Sequence, residues 1–246
     1  MLIICSILTV QPYNSLKGAQ AVTGKVHLHS DKALSLLFCV SLFFFIITFS
    51  VALPIFCRPF YYAHIGALDL SKKSGYTQKE IKEAYDEVLS YLTLPNREFS
   101  SGAMRYSREG AAHFADCKRL FTLNSAVLFC SALCLAVLLI LKKAGKARPF
   151  MLGRHSAAFY SACAVIAVPV LLTLSVCFDF SSAFTVFHKF FFPGKINWMF
   201  NTYTDEIINV LPEEFFMNCA VFIGVSILVF SFSLILTEKK RINKEK

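Results

Sequence analysis

Residues 33–57, ALSLLFCVSLFFFIITFSVALPIFC, form an apolar stretch in which no position carries a charge. A helix rises about 1.5 Å per residue, so this stretch is long enough to cross a hydrocarbon core roughly 30 Å thick. Three further charge-free stretches of at least 22 residues follow it: Leu120–Leu141, Ser156–Phe178 and Phe215–Thr237. The sequence therefore predicts an all-α, polytopic protein with four transmembrane helices.

The composition supports a membrane protein. Of the 246 residues, 56% are hydrophobic, only 17% are charged and 26 are Phe, and the mean hydropathy is +0.56. A soluble domain carries about 25% charged residues, and a disordered chain lacks such an aromatic and aliphatic content. These values exclude an ordinary soluble protein and a disordered one.

The distribution of charge predicts the orientation of the chain. Segment 142–155 contains five basic residues and no acidic residue, whereas segment 179–214 contains two basic and five acidic residues. Short basic segments stay on the cytoplasmic side of a membrane. Both termini are therefore expected in the cytoplasm, and the net charge of +9 reports this orientation on an anionic inner leaflet.

The predicted organisation alternates spans with segments on the two sides of the membrane. The spans are 33–57, 123–141, 156–178 and 215–237. The cytoplasmic segments are the N-terminal segment 1–32, the basic loop 142–155 and the tail 238–246, and the extracellular segments are 58–122 and the aromatic loop 179–214. Segment 58–122 is far longer than a simple connection, so it is expected to fold as a large helical loop.

The first extracellular loop carries clear helix signals. Thr77 and Glu80 predict a capping box, in which each side chain satisfies a free amide at the start of a helix. Apolar residues then recur at helical spacing until Pro95. A second helix is predicted to begin near Ser107 and to continue into the second span.

The sequence signals for a nucleic-acid site, a metal site and a disulfide are weak or absent. Nucleic-acid binding would need basic residues on a folded soluble face, and none is predicted. His27 and His29 have no other ligands near them, so no metal is predicted. Cys57 and Cys117 are the two cysteines expected outside, and a disulfide between them is left open.

Two histidines are expected at the same outer surface, on different loops. His113 lies on the helix that leads into the second span, and His188 lies among five phenylalanines in the aromatic loop. Imidazole takes up and returns protons near neutral pH, so a converging pair next to lipid suits acyl transfer on lipid esters. The Gly-x-Ser-x-Gly motif of serine hydrolases is absent from the sequence. A nucleophilic Cys117 beside His113 remains an alternative.

The loops also resemble a known family in a series of short motifs. The chain resembles small four-span membrane proteins of Gram-positive bacteria, a family that includes the lipoprotein intramolecular transacylase, over roughly residues 33–236. The motifs that carry the resemblance are Arg58-Pro59-Phe60-Tyr61-Tyr62, Leu68-Asp69-Leu70, Ser74-Gly75-Tyr76-Thr77, Glu83-Ala84-Tyr85-Asp86, Phe99-Ser100-Ser101-Gly102, His113-Phe114-Ala115-Asp116-Cys117-Lys118, Phe187-His188, Trp198, Asp205 and Leu211-Pro212-Glu213-Glu214-Phe215-Phe216.

The resemblance implies a specific reaction in the bacterial plasma membrane. The substrate would be a lipoprotein whose N-terminal cysteine carries an S-linked diacylglycerol and a free α-amine. The sn-2 acyl chain would move to that amine and give a lyso-form lipoprotein. The family's essential histidine pair corresponds to His113 and His188. The implied partners are the diacylglyceryl lipoprotein and membrane lipids, without a cofactor or nucleic acid, and a monomer is favoured.

The residues suggest how such a reaction would proceed. An α-ammonium has a pKa of about 7.7–8.0, so a base, for which His188 is favoured, must free its lone pair. The other histidine would bind the oxyanion or protonate the leaving oxygen. Asp116 and Asp205 are predicted to orient the imidazoles, and the predicted substrate-binding residues are Arg58, Tyr61 and Trp198.

Two other classes of function remain open at this point. One is a non-enzymatic membrane protein that binds lipid or lipoprotein, and the other is a different lipid acyltransferase or a lipase. A transporter is disfavoured, because transporters place ionisable residues within their spans or break their helices at mid-membrane. The predicted spans carry no charge, and only Pro169 interrupts the third.

Overall fold

A computed structural model describes residues 24–176 and 179–245, with side chains described for 32–167 and 179–245. Most of the predicted N-terminal segment, residues 1–23, and the last two residues of the predicted third span, 177–178, lie outside the described residues. The elements in order are α1 Gly24–Phe56, α2 Arg58–Ala67, α3 Leu70–Ser74, α4 Gln78–Thr93, α5 Arg108–Lys143, β1 Met151–Leu152, β2 His155–Ser156, α6 Ala157–Val176, α7 Phe180–Phe191, a 3₁₀ helix Glu206–Asn209 and α8 Glu213–Lys244.

The four longest helices form a bundle around α1. Helix α1 packs against α5, α6 and α8, and α6 also packs against α8. In the described part of the chain, three helices are long and apolar enough to cross a membrane: Lys32–Phe56, Arg108–Lys143 and Glu213–Lys244. Large apolar side chains such as Phe129 and Ile140 point away from the bundle and are 68% and 65% exposed. Such a surface is stable in lipid rather than in water. The chain is therefore a mostly helical, multi-pass membrane protein.

The short helices collect at one end of the bundle, where α5 begins. We call this part, residues 57–107 and 179–212, the loop unit. Its core is built around Tyr61, which stacks on Tyr85 at a centroid distance of 3.8 Å and donates a hydrogen bond to the Val210 carbonyl at 2.8 Å. The remaining buried members come from both parts of the loop unit and from the start of α5 and α8, among them Ile65, Leu70, Ile81, Val88, Phe114, Ile207 and Phe215.

The predicted helix starts in the loop unit are confirmed. The Thr77 hydroxyl accepts from the Glu80 amide at 3.3 Å, and the Glu80 carboxylate accepts from the Thr77 amide at 2.8 Å, which completes the capping box. The helix ends at Thr93, before Pro95. Helix α5 begins at Arg108, and the hydroxyl of its N-cap Ser107 accepts from the Gly110 amide at 2.9 Å.

The opposite end of the bundle contains a small hairpin that the sequence did not predict. Strands β1 and β2 pair antiparallel, with Leu152 opposite His155. The turn between them includes Gly153 at a φ of +68°, a left-handed conformation that glycine adopts without strain. The architecture is thus mostly helical rather than strictly all-α. We call this region, where the hairpin contacts α8, the hairpin end.

Candidate active site

The two predicted catalytic histidines meet at the boundary between the loop unit and the bundle. His113 lies in the first part of α5, before the charge-free stretch that begins at Leu120, and His188 lies on α7. Their ring centroids are 5.6 Å apart, and they are only 4% and 6% exposed. Folding therefore places two imidazoles side by side although they are distant in sequence.

Aromatic rings surround this pair. Phe192 lies 5.0 Å from His113 and 5.8 Å from His188 between ring centroids, and Phe200 lies 5.4 Å from His113. Trp198 stacks on His188 at 4.7 Å, and Phe184 lies 4.2 Å from the same ring. We call Phe184, Phe192, Trp198 and Phe200 the aromatic box. It keeps water away from the imidazoles, which strengthens electrostatic interactions between them and a bound substrate.

The hydrogen bonding of His188 leaves one of its ring nitrogens free to act as a base. Its Nδ1 lies 2.7 Å from the Phe184 carbonyl oxygen, and because a carbonyl only accepts, Nδ1 carries the hydrogen. In the neutral ring, Nε2 is then an acceptor. Burial lowers the pKa of His188, and the hydrogen bond to Phe184 opposes this only in part. His188 is therefore neutral at neutral pH, as a general base must be.

His113 has a different environment. Burial, and then the neighbouring His188, lower the pKa of His113 to about 4. Its Nε2 lies 3.4 Å from the Cys117 sulfur, and its Nδ1 is buried without a hydrogen-bond partner among the described residues. Burial raises the pKa of the Cys117 thiol to about 12, so the sulfur keeps its hydrogen and can donate it to Nε2. In the tautomer of His113 that accepts this hydrogen bond, Nδ1 carries a hydrogen that is available to a ligand.

The raised pKa of the Cys117 thiol disfavours Cys117 as a nucleophile, because the thiolate and not the thiol attacks. Cys57 and Cys117 are both free thiols in the structure, so no disulfide joins them. Among the described residues, no group of three or more His, Cys, Asp and Glu side chains is arranged to hold a metal ion.

Asp116 does not contact an imidazole, contrary to the predicted hydrogen bond. Its carboxylate accepts from Lys195 Nζ at 2.5 Å and from Asn197 Nδ2 at 3.4 Å, and Arg119 lies at 3.6 Å. Burial alone would raise the pKa of Asp116, but the hydrogen bonds from Lys195 and Asn197 outweigh it and lower the pKa. The physical reason for the difference is that a nearby ammonium is a stronger partner for a carboxylate than a neutral imidazole. Asp116 thereby joins α5 to the loop that carries Trp198.

Asp205 also binds other groups than the one predicted. It is 4% exposed and accepts from the amide and the hydroxyl of Ser107, both at 2.8 Å, and from the Thr204 hydroxyl at 2.9 Å. A Cβ on Gly110 would lie 2.1 Å from the Asp205 carboxylate and 3.1 Å from Phe200. The start of α5 can approach this carboxylate so closely only because residue 110 is glycine.

Of the three predicted substrate-binding residues, only Trp198 lies against the histidine pair. Tyr61 is fully buried in the core of the loop unit and its hydroxyl is already bonded to Val210. Since it has no exposed surface, a substrate cannot contact it in this conformation. Arg58 pairs with Asp86 at 3.4 Å at the start of α2.

The residues that connect the site were not predicted from the sequence. Lys195 and Asn197 lie within the aromatic loop, and the only available signal was that they are close to Trp198 in sequence. Phe192 and Phe200 belonged to the general aromatic density of that loop. Their specific contacts with His113 depend on how the loop folds back onto α5.

Comparisons with known proteins show the fold and the family of the chain. A solved structure of the membrane integral lipoprotein intramolecular transacylase Lit from Bacillus cereus is 26% identical, covers 88% of this chain and 98% of that chain, and has a TM-score of 0.78. A structure of the same protein with one histidine replaced by alanine is 24% identical, covers 91% of this chain and 98% of that chain, and has a TM-score of 0.73. No curated protein matches. The model of the family described as lipoprotein intramolecular transacylase Lit matches residues 36–216, most of the chain, and the protein therefore belongs to this family.

Proposed function

We propose that the protein moves the sn-2 acyl chain of an S-diacylglyceryl-cysteine lipoprotein to the α-amine of the same cysteine. The product is a lyso-form lipoprotein. The observation that carries this proposal is the pair of buried, neutral imidazoles, 5.6 Å apart, in a membrane protein of the transacylase family. Amine and ester lie in one molecule, which lowers the entropic part of the barrier.

The chemistry follows from the free positions on the two rings. Nε2 of His188 removes a proton from the α-ammonium, and the amine nitrogen attacks the sn-2 ester carbonyl. Nδ1–H of His113 stabilises the oxyanion of the tetrahedral intermediate. The ester C–O bond then breaks as His188 delivers the proton to the glycerol oxygen, and the nitrogen, now part of an amide, loses its second proton to solvent through Nε2 of His188. The neutral amine form of the substrate and the product are isomers, so the reaction needs no other reactant.

The proposed topology has four spans, with both termini in the cytoplasm and the histidines at the outer face. Helix α6, Ala157–Val176, has 20 residues and therefore a length of about 30 Å, enough for the remaining span. The basic loop after α5 supports the orientation, since it contains five positive charges and no negative one. The outer leaflet is where the acyl chains of an exported lipoprotein lie.

The test is expression in a host that makes only diacylglyceryl lipoproteins with a free amine. Total mass does not change in an isomerisation, so tandem mass spectrometry of the N-terminal lipopeptide must locate the acyl chain. We expect one chain on the amine with the wild type and none with His113→Ala or His188→Ala. An unaltered diacylglyceryl cysteine from a well-expressed wild type would contradict the proposal and favour a protein that only binds lipid or lipoprotein.

A further inference from the structure

We infer that the side-chain oxygen of Asn197 holds the α-ammonium of the substrate beside the histidine pair. This inference rests on the proposed transacylase function and adds a substrate-binding residue to it. The ligand group is a primary ammonium, and the partner is a neutral amide oxygen.

The orientation of the Asn197 amide is fixed by its surroundings. Its Nδ2 donates to Asp116 at 3.4 Å, and Asp116 is an ionised carboxylate that can only accept. The reverse orientation would place two acceptor oxygens against each other. The ion pair between Lys195 and Asp116, at 2.5 Å, holds that carboxylate in place. The amide oxygen of Asn197 therefore points away from Asp116.

This oxygen is buried and has no hydrogen-bond partner within the described part of the chain. Among the unpaired buried polar atoms there, only it and Nδ1 of His113 belong to an amide or an imidazole; the others are the hydroxyls of Ser50, Ser71, Ser161 and Ser231. A buried acceptor without a partner is costly for a fold, so such an atom calls for an explanation. Asn197 precedes Trp198, which stacks on His188, so a substrate bound at the histidine pair is the partner that we infer.

The position of Asn197 connects it to both histidines. Asp116, which it contacts, lies one helical turn after His113 on α5. Trp198, the next residue, stacks on His188 and donates its indole N–H to the Lys195 carbonyl at 3.0 Å. The segment from Lys195 to Trp198 is thus held beside the pair by its contacts with Asp116 and His188.

An amide oxygen only accepts, so it selects a donor. At the reacting end of the proposed substrate, the ester groups are acceptors and the α-ammonium is the group with three N–H bonds. One of these N–H bonds is directed at Nε2 of His188, which leaves another for Asn197. A neutral acceptor suits this role, because a carboxylate would favour the charged ammonium and hinder its deprotonation. The charge of Asp116 is compensated by Lys195.

The experiment uses Trp198, which is the only tryptophan of the chain, as the reporter. Two non-reacting lipopeptides carry ether-linked, brominated chains that quench tryptophan, and they differ only in the presence or absence of the α-amine. We expect the wild type to bind the amine form about tenfold more tightly, as is typical of one hydrogen bond to a charged group. Asn197→Leu, of similar size, should lose most of this preference and keep only the part that the contact with Nε2 of His188 supplies.

The matched control is Ile196→Ala, at the adjacent position, whose side chain is 73% exposed. It should keep the tenfold preference. Thermal unfolding in detergent checks that each variant is folded, and Asn197→Ala replaces Asn197→Leu if the latter is not. A folded Asn197 variant that keeps the full tenfold preference for the amine form would overturn the inference. Acyl transfer on the ester substrate is measured with the same wild-type preparation. A failure of the proposed function is thereby distinguished from a failure of the inference about Asn197.

Discussion

The two ends of the bundle each place a histidine beside aromatic rings, but only one end gives it a carboxylate. At the hairpin end, Nδ1 of His155 lies 3.3 Å from the Glu238 carboxylate, and its ring stacks on Phe159 at 4.6 Å. At the loop unit, His113 and His188 have no carboxylate as a hydrogen-bond partner among the described residues. The difference separates a structural histidine from two histidines whose nitrogens remain available for chemistry.

Glu238 explains what the first arrangement does. It is 4% exposed and also accepts from the Ser156 amide at 3.1 Å and from Arg241 at 2.8 Å. Arg241 in turn donates to the Arg154 carbonyl at 3.1 Å. These contacts tie the hairpin before α6 to the end of α8. The hairpin end therefore uses its charged groups for packing. Near the histidine pair, Asp116 and Asp205 bind other groups than the imidazoles, so neither His113 nor His188 has a carboxylate partner among the described residues.

The largest expected effect distinguishes the histidines directly. His113→Ala or His188→Ala should lower acyl transfer by about 10²–10⁴-fold, the range that general acid–base catalysis contributes. His155→Ala should leave the transfer rate unchanged, because the residue lies at the other end of α8 from the reaction. The measurement is the initial rate of N-acyl lipopeptide formation with equal amounts of folded protein. An equal loss of transfer in all three variants would show that His155 cannot be distinguished from the histidine pair.

A smaller effect is expected at the contact between α5 and Asp205. Gly110→Ala should reduce stability by about 1–3 kcal/mol, because the added carbon overlaps the Asp205 carboxylate and both groups are enclosed. Transfer should fall as well, since Phe200 of the aromatic box is displaced. Gly66→Ala on α2 is the matched control, because its Cβ would meet nothing within 4 Å. Chemical unfolding in detergent gives the stability of the two variants, and the lipopeptide assay gives their transfer rates. A Gly110→Ala variant with the stability of the wild type would contradict the close approach of α5 to Asp205.

Glu238→Gln tests the hairpin end by itself. Removing the charge weakens three contacts and leaves Arg241 with Glu245 at 2.7 Å as its remaining carboxylate. We expect a loss of stability of about 1–2 kcal/mol, without a change in the transfer rate. The thermal midpoint and the initial rate are compared on one preparation. A loss of activity that exceeds the loss of folded protein would show that the two ends are coupled.

The pH dependence of stability should reflect the unpaired histidines. In the folded protein the pKa of His113 is about 4, below the ordinary value of 6.5, so the unfolded chain binds a proton that the folded chain does not. Stability from this residue is therefore present above pH 6.5 and is lost as the pH falls towards 4. Thermal midpoints between pH 7 and pH 4 should decline less in His113→Phe than in the wild type. Parallel curves would indicate that His113 keeps its ordinary pKa in the folded protein.

The smallest effect is expected at Cys117. Cys117→Ser should keep transfer within about twofold, because a hydroxyl also donates to Nε2 of His113. The same lipopeptide assay measures it. A loss as large as that of the histidine variants would restore the covalent alternative through the thiol.

Local patterns allowed several features to be predicted from the sequence. The capping box at Thr77 and Glu80 and the helix start at Ser107 involve residues three positions apart, so neighbouring side chains decide them. The membrane class follows from long apolar stretches. The histidine pair was predicted because both residues lie in loops that the topology brings to one side.

The partners of the charged groups could not be predicted in the same way. Asp116 and Lys195 are 79 positions apart, and Ser107 and Asp205 are 98 apart. Such pairs are decided by which loops approach each other, since several carboxylates and cations compete for the same contacts. Tyr61 was assigned to the substrate for a similar reason: its position after the first span is visible in sequence, but its burial against Tyr85 and Val210 is not.

Membrane insertion, the helix starts at Thr77 and Ser107 and the residue types that can carry protons could all be predicted from the order of the residues. The hydrogen bonds of the two histidines, the partners of Asp116 and Asp205 and the unpaired oxygen of Asn197 among the described residues are visible only in the folded chain. The two kinds of feature differ in the range of the interactions that produce them. Helix formation and membrane partitioning depend on neighbours within a few positions or on total apolar area, whereas the protonation and hydrogen bonding of a buried side chain depend on whatever distant segment packs against it.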